Sequence, residues 1–266
     1  MDMIYQKNNV YWHKFNALSR YFLSYTFSGI MPYYIVNEYP KSGGSWIGQM
    51  LAAALDVPFP RNRLPMLRPC IMHGHFLWPS TLKNVVIVWR DGRDVIVSQY
   101  FHSLFQNEKG NKILVEKISA DLKYADVKDT RSNLPSFIEY IFKGKKYPKF
   151  SWLDFAKKWQ GNSGAVHVKY EDFRHNCSTQ LQQLVGALKN RPLSKARAEK
   201  IEKIFSFESQ SGRAPGQENS NSFMRKGIVG DWKSHFTNES KEMFDHYAGD
   251  ALISLGYEKD KSWVNG

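Results

Sequence analysis

The stretch VNEYPKSGGSW, Val36 to Trp46, joins an apolar run, YYIV, to an amphipathic one, WIGQMLAAAL. The first run is short and rich in aromatic and β-branched residues, which predicts a buried strand. In the second, Trp46, Ile47, Met50, Leu51, Ala54 and Leu55 share one face at helical spacing, which predicts a helix. The link between them holds a lysine, two serines and two glycines. A glycine-containing turn from a parallel strand into a helix points backbone N–H groups outward, and the helix dipole adds to them, so the turn suits an anion. Lys41 supplies a full charge and Ser42 and Ser45 supply hydroxyls, while Gly43 and Gly44 let the backbone approach a ligand closely. This is not a Walker A loop, in which the lysine follows the glycines. An ordinary βα turn carrying an incidental lysine remains open at this point.

Further apolar runs recur along the chain: CIMHGHF at 70–76, NVVIVW at 84–89 and AVHVKY at 165–170. Helical patterns lie between and after them. One has Leu181, Leu184, Val185 and Leu188 on one face behind Ser178 as the expected cap; another runs from Phe244 to Leu255 and ends at Gly256. Strands alternating with helices predict βαβ units and a central parallel sheet flanked by helices in three layers, an α/β domain. Residues 106–150, lysine-rich, and 208–230, rich in Ser, Gly, Asn and Pro, read as excursions from that sheet on the lid or acceptor side. Residues 1–33 read as an N-terminal extension, and 1–266 as a single domain.

The chain has 266 residues and a formal net charge of +12, which favours anionic partners of some kind. Its two cysteines, Cys70 and Cys177, make neither a disulfide framework nor a zinc site by spacing, and point to a reducing compartment. No signal-peptide pattern opens the sequence and no apolar run approaches ~20 residues, so a soluble cytoplasmic protein without a transmembrane segment is expected.

Two more segments carry positive charge. In WRDGRDVIVSQYF, Arg90 ends a strand and Ser98 lies eight residues on, in the next helix; a guanidinium fork and a hydroxyl there suit a phosphate, unless Arg90 merely pairs with Asp91 or Asp94. In FMRKGIVGDWK, Arg225, Lys226 and Gly227 join two cations to a flexible backbone.

Taken together and in this order, the three segments resemble the sulfotransferase family that uses 3′-phosphoadenosine 5′-phosphosulfate (PAPS), in its cytosolic-type branch. YPKSGGSW is similar to the family's YPKSGTTW loop, RDGRDVIVS to its 3′-phosphate motif, and FMRKGIVGDWK to its RKGxxGDWK loop. YEDF at 170–173, SFE at 206–208 and SWLDFAKKW at 151–159 extend the likeness from about residue 34 to the C-terminus. The resemblance implies a P-loop-like fold and PAPS as co-substrate, with no metal. It implies that Lys41 acts on the oxygen bridging phosphate and sulfuryl group, and that Ser42, Gly43, Gly44 and Ser45 hold the 5′-phosphate. Trp46, Tyr170 and Phe207 would bound the adenine, and Arg90, Ser98, Arg225, Lys226 and Gly227 would grip the 3′-phosphate. Ser98 would also restrain Lys41 until an acceptor arrives. The family's general base is a histidine in a KTH-type motif; this chain reads MHGHF there, which places His75 at the base position and His73 where the family has lysine, with His73 as the alternative base.

Gly44 also departs from the pattern, standing where the family often has threonine. The family's dimer motif would fall at Lys233, Thr237 and Glu242, with Asn238 replacing an apolar residue, which leaves the oligomeric state open. The acceptor is expected to be a hydroxyl on a small molecule, a carbohydrate or a glycolipid, walled by Phe101, Phe105, Tyr124, Phe137, Tyr140 and Tyr147. Two other readings compete: a P-loop kinase, for which neither a Walker A lysine nor a magnesium-binding acid is evident, and a basic nucleic-acid binder, for which no motif is evident.

Overall fold

A computed structural model of the protein describes residues 10–61, 68–144, 148–189 and 192–266. Four short strands, β1 (Tyr33–Glu38), β2 (Cys70–Gly74), β3 (Val85–Trp89) and β4 (Ala165–Lys169), form one sheet in the order β2-β1-β3-β4. All three pairings are parallel, with Tyr33 opposite Cys70, Ile35 opposite Val85, and Val85 opposite Ala165. These are the four expected strand runs, each ending within two residues of its expected limit.

Alternation along the strands divides the interior. Tyr33, Ile35, Cys70, Met72, Val85 and Ile87 face one apolar cluster, while Tyr34, Val36, Ile71, Val86 and Val88 face the other. The second cluster is closed by α2 (Gly44–Leu55), α8 (Cys177–Lys189) and α9 (Lys195–Ile204). The first is closed by α3 (Gly92–Leu104), α5 (Thr130–Gly144), α6 (Trp152–Trp159) and α12 (Asn238–Ser254). Strands apolar on both faces require cover on both faces, and the helices supply it.

Some expectations are corrected. Residues 106–150 are largely helical, comprising a 3₁₀ turn (Lys109–Asn111), α4 (Lys112–Leu122) and α5, with α5 packed into the core. Their aromatics mostly serve that core: Phe137 is wholly buried and Phe101 nearly so, while Phe105, Tyr124 and Tyr140 pack against the same cluster. Phe137 and Phe101 are therefore too deeply buried to wall an acceptor as expected; Tyr147 lies outside the described residues. Ser178 is not the cap of α8. The helix starts a residue earlier, at Cys177, and the Ser178 amide donates to Glu202 of α9 at 3.1 Å. In residues 1–33, α1 (Val10–Phe27) forms a helix whose Arg20 donates to the His73 carbonyl at 3.0 Å, tying it to the end of β2. Gly256 ends α12 as expected, with φ 71° just past the last turn. Cys70 and Cys177 are both buried and are not joined to each other in a disulfide.

The strand order reverses at β1, because β2 lies on one side of it and β3 on the other. Ligand sites in open α/β sheets form at such a point, outside the carboxyl ends of the strands. The loops that follow β1, β2 and β3 here carry Lys41, His75 and Arg90.

Candidate active site

The turn after β1 is held in an uncommon backbone shape. Gly43 has φ 98°, and a Cβ there would lie 2.5 Å from the Tyr170 ring, so only glycine fits. Lys41 also has a positive φ, 76°, rare for a residue with a side chain. Its carbonyl accepts from Arg90 Nη1 at 2.9 Å, so the second basic element braces the first. Arg90 also lies 3.8 Å from Asp94, a longer contact than the one to Lys41.

A cleft of about 860 Å³, open mouth included, brings the expected residues together. Lys41, Gly43, Ser45, Trp46, Arg90, Ser98, Tyr170, Phe207, Arg225, Lys226 and Gly227 all line it; Ser42 is buried beneath the turn and Gly44 opens α2. At one end Trp46 and Tyr170 meet edge to face, 5.7 Å between centroids, with Phe207 buried nearby, an apolar slot for a flat ring. Arg174, which carried no expected role, covers Trp46 and donates to the Gly227 carbonyl at 2.6 Å.

The 223–233 loop is anchored by a carboxylate from α3. Asp94 accepts from the amides of Gly230, at 2.8 Å, and Trp232, at 2.9 Å. Arg93, buried in the same motif, pairs with Asp91 at 2.7 Å and Glu258 at 2.5 Å and lies over Trp232, which is structural work. Within the loop, Arg225 pairs with Asp231 and with Glu218 (2.8 Å), and Lys226 pairs with Asp231 at 2.6 Å. Against the pull of burial, His235 at 3.4 Å, with Arg225 and Lys226, draws the Asp231 pKa well below the usual carboxylate range. The two cations are thus held in place by carboxylates that an incoming phosphate would have to rival.

Two departures from the family pattern meet at one residue that motif reading missed. Glu38, at the end of β1, is 3% exposed. Its Oε2 accepts from the Gly44 amide at 2.5 Å and its Oε1 from His73 Nε2 at 2.9 Å. A Cβ at Gly44 would lie 2.7 Å from the Glu38 carboxyl carbon, so glycine makes the room that Glu38 fills. His73 supplies the matching donor. Burial raises the Glu38 pKa, but the His73 hydrogen bond and the charges of both histidines outweigh it, and the net direction is down.

His75 stands beside this pair, its ring 5.0 Å from that of His73. Its Nδ1 lies 3.0 Å from the Glu38 carbonyl oxygen. A carbonyl can only accept, so Nδ1 carries the proton and Nε2 keeps its lone pair. His75 is not among the residues that line the cleft; it stands next to Glu38, which does. Its side chain is exposed yet hemmed in by protein, and that desolvation, with His73 alongside, lowers its pKa from 6.5 to about 4. It is neutral at pH 7. Donor atoms of Glu38, His73 and His75 lie within 4.8 Å of one another, a spacing that could admit a cation. However, the two Glu38 oxygens, His73 Nε2 and His75 Nδ1 are already engaged in hydrogen bonds, so the cluster reads as a polar network rather than a ligand set.

Lys41 lies between this network and a second group of side chains. Burial lowers its pKa from 10.5 to about 8, partly offset by Glu108 and Glu38. Its ammonium stands 4.0 Å from the Phe223 ring centroid; among the described residues no hydrogen bond joins it to Ser98, which shares the cleft.

With this geometry in view, the sequence profile of the sulfotransferase domain matches residues 65–256, well over half of the chain. The chain belongs to the sulfotransferase domain family. It is 28% identical to sulfotransferase 1E1 of Rattus norvegicus, the alignment covering 84% of each chain. It is 26% identical to an amine sulfotransferase of Oryctolagus cuniculus, over 79% of this chain and 77% of the relative. The fold is shared with mouse sulfotransferase SULT7A1, solved with PAP, at a TM-score of 0.63 and 18% identity over 90% of this chain and 91% of that one. It is also shared with a retinol dehydratase solved with androsterone and PAP, at a TM-score of 0.60 and 15% identity over 86% and 83% of the two chains. Among the described residues no helix is long and apolar enough to cross a membrane.

Proposed function

We propose that this sulfotransferase moves the sulfuryl group of PAPS to an acceptor hydroxyl, with His75 as the general base. The observation that carries the reading is the His75 hydrogen bond to the carbonyl of Glu38, a residue that lines the cleft, which leaves Nε2 free to take a proton. The relatives' folds, two of them solved with PAP, support the nucleotide. So does the cleft itself, which has an aromatic slot at one end and separate cationic groups around Lys41 and around Arg225.

The roles follow from charge and position. Trp46, Tyr170 and Phe207 hold the adenine. Arg90, Ser98, Arg225, Lys226 and the Gly227 backbone hold the 3′-phosphate, displacing the carboxylates that now pair with Arg225 and Lys226. Gly43 and Ser45 face the 5′-phosphate, and Ser42 and Gly44 complete the turn that presents them. The acceptor oxygen attacks sulfur in line. Its proton passes to His75 Nε2 as the bond from sulfur to the bridging oxygen breaks. Lys41 steadies the negative charge that gathers on that oxygen, an electrostatic contribution realised mainly in the transition state. The products are a sulfate ester and adenosine 3′,5′-bisphosphate. His73 is the weaker candidate for the base, since its Nε2 already serves Glu38 and its ring is buried.

Replacing His75 by Asn keeps a polar side chain but removes the proton acceptor. Turnover should fall by about 10²–10⁴-fold, while affinity for adenosine 3′,5′-bisphosphate stays within a fewfold. If His73→Asn is the dead variant and His75→Asn retains turnover, the assignment is wrong by two residues.

A further inference from the structure

Beside Lys41 lies a group of side chains to which the nucleotide reading gives no role; one of them, Phe223, lines the edge of the same cleft. Phe223 is 38% exposed, with Lys41 Nζ at 4.0 Å and the Arg61 guanidinium at 5.0 Å from its centroid. His102, from the last turn of α3, meets Phe223 edge to face at 6.3 Å. Glu108 stands 3.8 Å from His102 Nε2 and 3.9 Å from Arg61 Nη2.

The group is built rather than incidental. Asn107 and Asn111 are both buried behind it. Asn111 Nδ2 donates to the carbonyls of His102 and Phe105 and to Asn107 Oδ1, at 2.7, 2.9 and 3.0 Å. Asn107 Oδ1 is thereby an acceptor, and the His102 Nδ1 lying 3.0 Å from it must carry the hydrogen. His102 Nε2 is left with a lone pair. Desolvation and the nearby Lys41 charge lower the His102 pKa from 6.5 to about 4, so the ring is neutral at pH 7. A neutral imidazole nitrogen and a carboxylate 3.8 Å apart are two acceptors side by side with no hydrogen between them. Arg61 Nε, in turn, is a buried donor with no hydrogen-bond partner among the described residues.

We infer that Phe223, His102, Glu108 and Arg61 form the acceptor subsite, and that it selects a neutral polyhydroxylated ring, a sugar. This deepens the sulfotransferase reading and rests on it. A sugar offers what the group lacks: adjacent hydroxyls donate to His102 Nε2 and Glu108, a hydroxyl oxygen accepts from Arg61, and the C–H face of the ring lies on Phe223. The charges of Arg61 and Glu108 offset each other, which favours a neutral acceptor over an anionic one. A wholly apolar acceptor would leave His102 Nε2 without a donor and would add nothing for Glu108 beyond Arg61 and the Asn111 amide, and sites built around polar groups reject analogues that cannot pair with them.

The test combines binding and transfer. The protein saturated with adenosine 3′,5′-bisphosphate is titrated with methyl glycosides and with 2-naphthol, and transfer from PAPS to each is followed by release of the bisphosphate. Glycosides should bind and turn over, and 2-naphthol should be at least tenfold poorer in kcat/KM. His102→Phe should lose at least tenfold in kcat/KM for the preferred glycoside and narrow or reverse the preference, while keeping its affinity for the bisphosphate. Glu108→Gln should lose severalfold. No glycoside binding, a tenfold preference for 2-naphthol, or an unchanged glycoside kcat/KM in His102→Phe overturns the inference. Each of these leaves sulfuryl transfer standing; failure of that reading would instead show as no bisphosphate binding at all.

Discussion

Replacing Glu38 by Ala should destabilise the fold as well as disturb the site. The carboxylate is buried and accepts from two donors, the Gly44 amide at the start of α2 and His73 Nε2. Removal leaves both donors desolvated and unpaired, and breaking a buried pair of this kind costs about 3–5 kcal/mol. For a domain of this size each kcal/mol shifts the melting temperature by roughly 2–4 °C, so Tm should fall by about 6–20 °C. Glu38→Gln, which keeps one acceptor, should lose about half as much. The two partners should also couple: Glu38→Ala combined with His73→Ala should cost less than the sum of the single changes, since the pair is lost only once. Linkage gives a second readout. The Glu38 pKa is lowered below its ordinary 4.5 in the fold, so its contribution is present above that pH and fades as pH falls through the folded value. The Tm gap between the parent and Glu38→Ala should therefore close on acidification below about 4.5. Thermal melts followed by circular dichroism measure all of this. A Tm loss under ~2 °C, additive single changes, or a gap that widens in acid would refute the reasoning.

Lys41→Ala should all but abolish transfer yet bind adenosine 3′,5′-bisphosphate nearly as well as the parent, because the ammonium acts on charge that develops in the transition state; near-normal kcat in this variant would remove the turn after β1 from the chemistry. The pH profile of kcat/KM should be a bell. It rises as His75 loses its proton, well below 6.5 because that pKa is lowered, and it falls as Lys41 loses its charge near 8. His75→Asn should lose the acid limb and keep the alkaline one; an acid limb that survives would assign it to another group.

What could be read before the structure was local. The four strands were legible because each apolar run is short, two-sided and followed by a turn. The turn at Lys41 was legible because a glycine turn, a lysine and serines occur within a few residues. Arg90 and Ser98 were legible for the same reason. Glu38 lay in the opening stretch but had no meaning alone. Its partners, Gly44 and His73, come from another element and another strand, and only the sheet register brings His73, opposite Val36, to it. The aromatics of 106–150 were misplaced because composition does not say which face of a helix meets the core; Phe137 is interior and Phe223, which carried no role, stands over Lys41. Ser178 failed as a cap because a carboxylate from α9 already serves the amide there.

The central claim is that two separate basic elements, Arg90 with Ser98 and Arg225 with Lys226, are aimed at a 3′-phosphate. Isothermal calorimetry with adenosine 3′,5′-bisphosphate beside adenosine 5′-monophosphate tests it directly. Charge-assisted hydrogen bonds contribute about 1.5–3 kcal/mol each, so two of them predict a preference of at least 100-fold for the bisphosphate, and Arg225→Ala should erase much of it. Equal affinity for the two nucleotides would contradict the account.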